Sequence, residues 1–190
     1  MIEIIKNSLI KGCVTRDIPK NEEIEAIGKQ LEGLINKRFK RSFHIREVDT
    51  GSCGACESEI ISMTNPIYDI QRFGIDFVAS PRHADALLVT GPVSKNMELA
   101  LIRTYEAMPK PNYIITLGDC AFNGGIFKDS YYTLNGVGNV LPVTIHVPGC
   151  PPKPIEIMKY MIKFLATPTV RNSPSPSLAK RGKEKGNEGS

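Results

Sequence analysis

The chain alternates short apolar runs with longer amphipathic ones. Ile24, Ile27, Leu31, Leu34 and Ile35 recur at helical spacing, which predicts a helix from a cap at Asn21 through Arg38. Glu22 and Glu23 favour its first turn, the basic run Lys37-Arg38-Phe39-Lys40-Arg41 closes it, and Gly28 and Gly33 weaken it. Phe43 to Val48 reads as the first core strand, followed by a helix from Glu57 to Met63 that stops before Asn65-Pro66. Ile75 to Val78, Ala86 to Val89, Tyr113 to Leu117 and Pro142 to Val147 read as further strands. Lys95 to Met108 and Pro154 to Leu165 read as helices. Strands alternating with helices, several of them continuous apolar runs, predict an α/β fold with a mainly parallel sheet covered by helices on both faces.

The flanks differ from this middle. Residues 1–42 are expected to form an N-terminal helical extension, residues 43–166 the α/β domain, and residues 167–190 a disordered basic tail rich in Ser, Pro, Gly and Lys. The tail carries Arg171, Lys180, Arg181, Lys183 and Lys185 against Glu184 and Glu188, so it accounts for most of the net charge of +4. The basic balance is therefore weak support for a nucleic-acid partner, and the absence of Trp removes an obvious base-stacking platform. The first residues lack the apolar core and cleavage site of a secretory signal, and no run is long enough to span a bilayer, so a cytoplasmic chain is expected.

The chemistry concentrates in four cysteines. Cys53 and Cys56 lie in TGSCGAC, Cys120 in LGDCAFNGG and Cys150 in VPGCPP. The pattern is C-x2-C, then 63 residues, a cysteine, 29 residues and a cysteine. Each loop follows an expected strand, and ligands of open parallel sheets bind outside the carboxyl ends of the strands. Thiolates suit iron–sulfur clusters and zinc. Glycine beside each cysteine lets backbone N–H groups approach the sulfurs, and proline after Cys150 recurs in cluster-binding loops. Structural zinc sites usually pair two C-x2-C knuckles close in sequence, whereas this chain has one knuckle and two distant single cysteines. Residue spacing alone leaves a [4Fe–4S] cluster, zinc and an empty site open. Cys13 stands apart as a lone cysteine.

The motifs CGACESEI, YDIQRFGI, SPRHADALLVTGPV, GDCAFNGGIF and VPGCPPKP, in that order, resemble the small subunit of membrane-bound, energy-converting (group 4) [NiFe] hydrogenases. These belong to the superfamily of the 20 kDa subunit of respiratory complex I. The resemblance runs from about residue 43 to 166. It implies a flavodoxin-like domain holding one [4Fe–4S] cluster on Cys53, Cys56, Cys120 and Cys150, beside a large catalytic subunit that carries the catalytic metal. It also implies a ferredoxin-like subunit exchanging electrons with that cluster, integral membrane subunits reached indirectly, and a peripheral position on the inner face of the cell membrane. Complex I subunits resemble a tandem Cys-Cys at the first loop, so C-x2-C sides with the hydrogenases. The family commonly has C-N-G-C-D-I-E where this chain has C-G-A-C-E-S-E. Glu59 falls on the family's glutamate, but Gly54, Ala55 and Ser58 depart. A complex I-like quinone-reducing module and a non-redox structural subunit remain the alternatives.

Three further residues are candidates for cluster tuning or the subunit interface. Glu59 is either a proton-coupled group or a carboxylate placed for its helix dipole. Arg82 and His83 either line the interface or sit in a surface turn held by Asp85. His146 is expected in the core. No nucleophile with a partner base and no phosphate-binding glycine motif is identifiable.

Overall fold

The computed structural model describes residues 21–167, together with Lys6 and Ile10. The expected helix at the extreme N-terminus, Cys13 and nearly all of the basic tail lie outside the described residues. Helix α1 spans Glu22–Phe39. Its cap is the one expected: Asn21 Oδ1 accepts from the Glu23 and Ile24 N–H groups at 3.0 and 3.4 Å. Ile24, Leu31 and Ile35 are buried in the same core as the sheet, so this helix is a layer of the fold itself. Gly28 has a packing reason. A Cβ there would run into the Phe73 ring, while one at Gly33 would meet nothing within 4 Å.

The strands are β1 (Phe43–Asp49), β2 (Ile75–Phe77), β3 (Ala86–Thr90), β4 (Tyr113–Leu117) and β5 (Ile145–Val147). The helices after α1 are α2 (Ala55–Met63), α3 (Glu98–Glu106), the short α4 (Asp119–Asn123) and α5 (Pro154–Ala166). The five strands form one sheet in the order β2-β1-β3-β4-β5, every pair parallel. That is the flavodoxin-like order, with its reversal between β1 and β3. Every residue of β3 and β4 is buried, as central strands covered on both faces require.

One face packs Phe43, Ile45, Leu88 and Ile115 beneath α1, α2 and α5. The other packs Leu87, Val89 and Ile114 against Leu101 of α3 and Ala121, Val137 and Leu141 beyond β4. Helices on both faces, expected from alternation alone, are present.

Two elements differ in extent from the pattern. The last strand was expected from Pro142 but begins at Ile145. Proline has no N–H to give a ladder, and Thr144 joins the edge partly through its side chain, with Oγ1 accepting from the Ile114 N–H at 3.1 Å. Helix α3 was expected from Lys95 but starts at Glu98, because Ser94 forms an antiparallel bridge with Thr133 and the Lys95 N–H donates to the Tyr132 carbonyl.

Candidate metal centre

The first cysteine loop leaves β1 at the switch point. Asp49 Oδ1 accepts from the Gly51 and Ser52 N–H groups at 2.8 and 2.7 Å, folding the chain over the strand end. Buried Thr50 ties the loop sideways to the end of β3, donating to the Thr90 carbonyl at 2.6 Å and accepting from the Val93 N–H at 3.2 Å. Helix α2 begins two residues earlier than its apolar pattern suggested, so Cys56 lies in its first turn and Cys53 just before it.

The second and third loops follow adjacent strands. The Gly118 N–H donates to the Val147 carbonyl at 2.8 Å and carries the β4–β5 ladder one step further. Cys120 and Cys150 then stand on neighbouring loops. Glycine is required here by close approach. Gly118 has φ +84°, and a Cβ on it would lie 2.7 Å from Cys56 Sγ; a Cβ on Gly125 would lie 2.8 Å from Cys120 Sγ. The N–H of Ile126 points to the Cys120 sulfur.

All four cysteines are free thiols; Cys53 and Cys150 are exposed, Cys56 and Cys120 partly buried. They share one electrostatic neighbourhood. Burial, with Glu57 and then the other three cysteines, pushes the Cys56 thiol up to about 12. Burial also raises Cys120, opposed by the Ile126 N–H and reinforced by Cys150, Cys53 and Asp119. Thiolates so placed repel one another, and a bound cationic metal core would reverse that preference. Among the described residues no three Cys, His, Asp or Glu side chains stand close enough to share a single metal ion. Four thiols are the soft donor chemistry that iron–sulfur clusters and zinc both use.

The other expected site residues fall in different places. Glu59 lies on α2 three residues after Cys56 and is partly exposed. Arg82 and His83 are exposed in a helical turn, Pro81–His83, at the start of β3. That is the opposite edge of the sheet from the cysteine loops, so they do not surround the thiols. The turn is capped by Ser80, whose Oγ accepts from the Arg82 N–H at 3.4 Å, while Asp85 accepts from both Arg41 guanidinium nitrogens at 2.6 and 2.9 Å and from the His44 N–H at 2.9 Å, at the start of β1. His146 is half-buried, stacked on Phe122 with ring centroids 4.3 Å apart, and 3.0 Å from Thr116 Oγ1.

Two features near the thiols escaped the sequence reading. Asp119, directly before Cys120, accepts from the Gly149 N–H at 3.0 Å; its position in GDC was the available signal. Glu47 of β1 and Glu57 of α2 line a cavity of about 380 Å³ with Ile60, Ile61 and Phe77. Both oxygens of Glu57 and one of Glu47 are buried without a hydrogen-bond partner among the described residues. Burial, with Glu57 and Asp49, raises the Glu47 carboxyl; Thr90 Oγ1 lies near but completes no hydrogen bond. Nothing in the local sequence pattern distinguishes Glu47 from a solvated strand residue.

Phe122 and Ile126, in the Cys120 loop, are 55% and 75% exposed, and Tyr131 further along the chain is 87% exposed. No helix among the described residues is long and apolar enough to cross a membrane.

The architecture is that of a doubly wound α/β subunit whose binding edge is lined by cysteines. Residues 53–164 match the family of the NADH ubiquinone oxidoreductase 20 kDa subunit, and the chain belongs to it. It is 42% identical over 130 residues to formate hydrogenlyase subunit 7 of Escherichia coli, covering 68% of this chain, and spans about half (51%) of that relative's length. It is 42% identical over 146 residues to the probable membrane-bound hydrogenase subunit mbhJ of Pyrococcus furiosus, covering 76% of this chain and 86% of that one. An NADH-quinone oxidoreductase subunit of Phocaeicola vulgatus is 37% identical over 173 residues, with 84% and 86% covered. Among solved structures, a chain of an archaeal membrane-bound sulfane sulfur reductase superposes with a TM-score of 0.60 at 34% identity, covering 70% of this chain and 73% of that one. These relatives are subunits of oxidoreductase complexes, most of them membrane-bound hydrogenases or complex I-like enzymes.

Proposed function

We propose that this chain is the electron-transfer subunit of a membrane-bound, [NiFe]-hydrogenase-like oxidoreductase. Cys53, Cys56, Cys120 and Cys150 hold one [4Fe–4S] cluster in the iron–sulfur domain, assigned to residues 43–166. The observation that carries this reading is the meeting of four free thiols, from three strand ends, in one electrostatic neighbourhood. When bound, the cluster supplies one-electron transfer. The chain's own contribution is positional. Gly118 and Gly125 keep side chains away from the sulfurs, and Ile126 N–H stabilises negative charge on Cys120. The sheet edge sets the spacing of the three loops.

The catalytic metal centre belongs to a large partner subunit in this reading. That subunit docks over the exposed Phe122 and Ile126 of the Cys120 loop. A ferredoxin-like subunit exchanges electrons with the cluster, and membrane subunits hold the complex at the inner face of the cell membrane. The C-x2-C spacing of Cys53 and Cys56 favours the hydrogenase branch over a quinone-reducing one.

The test is iron, sulfide and zinc content of anaerobically purified protein, with EPR before and after dithionite. About four irons per chain, as the cluster type requires, with a signal on reduction, is the expected result. Zinc, or no metal after reconstitution, overturns the reading.

A further inference from the structure

The two single-cysteine loops are fastened to each other by one side chain. The Asp119 N–H donates to the Gly149 carbonyl at 2.9 Å, and the Gly149 N–H donates back to Asp119 Oδ1 at 3.0 Å. Together with the bond from Gly118 to Val147, this closes the loops over three successive hydrogen bonds beyond the last paired strand residues. Asp119 adjoins Cys120 and Gly149 adjoins Cys150, so the closed ring sits one residue from each of two thiols. Phe122 of the Cys120 loop also stacks on His146 of β5, but the side-chain hydrogen bond between the two loops is made by Asp119. The bond is also charge-assisted, which makes it roughly twice as strong as a neutral one.

The same carboxylate adds a negative charge to the site. It sits one residue from Cys120, and its field opposes the burial that lowers the His146 imidazole. His146 is the titratable cation-former facing it; no lysine or arginine is seen paired with Asp119 among the described residues.

We infer that Asp119 is a positioning residue with two separable roles: it clamps the Cys120 loop to the Cys150 loop, and its charge holds the cluster's reduction potential down. This rests on the cluster reading above. One-electron reduction adds negative charge to the cluster, and an adjacent carboxylate disfavours that charge. The clamp needs only an acceptor oxygen, which an asparagine also presents; the electrostatic role needs the charge.

The experiment uses the full-length chain, reconstituted anaerobically with iron and sulfide, in three forms: parent, Asp119→Asn and Asp119→Ala. Cluster retention is read as iron lost to a chelator, and the midpoint by EPR-monitored redox titration. Asp119→Asn is expected to hold iron as the parent does. Its reduced-to-oxidised ratio at a fixed ambient potential should rise by about tenfold, which for a one-electron couple is 59 mV. Asp119→Ala is expected to lose iron at least several-fold faster, because the Gly149 N–H loses its partner. An unshifted midpoint in Asp119→Asn overturns the electrostatic role. Parent-like retention in Asp119→Ala overturns the clamp. A parent protein that takes up no iron and sulfide fails earlier and differently, and overturns the cluster reading itself. Should Asp119→Ala not fold, visible in its circular dichroism, Asp119→Asn and Asp119→Ser carry the comparison.

Discussion

The guanidinium of Arg38 lies 5.0 Å from the centre of the Phe164 ring and donates to the Phe164 carbonyl at 3.2 Å. It reaches the Leu165 and Thr167 carbonyls as well and donates to the Tyr113 hydroxyl at 3.1 Å. One cation from the last turn of α1 thus caps the end of α5 and stacks among aromatic rings. From sequence the basic run is either a solvated helix end with cations near its C-terminus or a face for an acidic partner or lipid headgroups. Two of its members, Arg38 and Arg41, are instead committed to partners within the chain, Arg41 to Asp85 from an exposed position. Replacing Arg38 by Ala should cost about 2–3 kcal/mol in urea unfolding, from lost cation–π contact and charged hydrogen bonds. Lysine should restore only part of it, since one ammonium cannot reproduce the guanidinium fork.

The two glycines of α1 should respond oppositely to alanine. Gly33→Ala fills open space and should stabilise by up to about 1 kcal/mol through helix propensity. Gly28→Ala gains the same propensity but must displace the Phe73 ring, and overpacking of this kind costs about 1–3 kcal/mol. Thermal melts of the two variants side by side check this; equal shifts would contradict the packing of α1 on the Ile70–Phe73 turn.

Serine at any of positions 53, 56, 120 or 150 should reduce bound iron and abolish the parent's EPR signal on reduction. Cys13→Ser should leave both unchanged. Iron analysis of the five variants separates the four sheet-edge thiols from the fifth cysteine. Loss of iron in Cys13→Ser, or its retention in two of the other four, would contradict the proposed ligand set.

Acid should weaken the fold through His146. Burial lowers this imidazole below its ordinary value, against the opposing influences of Asp119 and Thr116. The unfolded chain therefore binds the proton more readily, near pH 6.5. The contribution is present above that pH and is lost as pH falls through the folded value. Urea unfolding of the metal-free chain should show His146→Gln losing less stability than the parent between pH 7.5 and pH 5. An identical loss would mean that the ring is not buried as described.

The fold was legible because its signals are local and repeated. Ala86 to Val89 and Tyr113 to Leu117 are apolar runs too short for helices, and Asn21 with two following glutamates marks a helix start. Alternation of strands and helices predicts a mainly parallel sheet, its flavodoxin-like order is implied by the family resemblance, and the three cysteine loops fall at the strand ends where that topology puts ligands. What stayed hidden is set by side-chain direction across the fold. Arg38 reads as a surface cation because its partners lie about 126 residues away in sequence. Arg82 and His83, read as either interface or surface-turn residues, precede β3, while the cysteines follow β1, β4 and β5. Glu47 reads as a solvent-facing residue, yet its neighbour is Glu57 on a helix. The pairing of Asp119 with Gly149 requires β4 and β5 to be adjacent, which no single segment announces.

The loop carrying Cys150 leaves the last strand of the sheet, and that strand pairs only with β4. During synthesis, then, three of the four thiols emerge long before the fourth has a place to stand. The four-cysteine edge is a product of the finished sheet and cannot serve as the seed around which the chain folds. A chain truncated before β5 would keep three of these cysteines and the alternating pattern of the core, but it would have no fourth corner. On the proposed ligand set, a cluster closes only after β5 has joined β4.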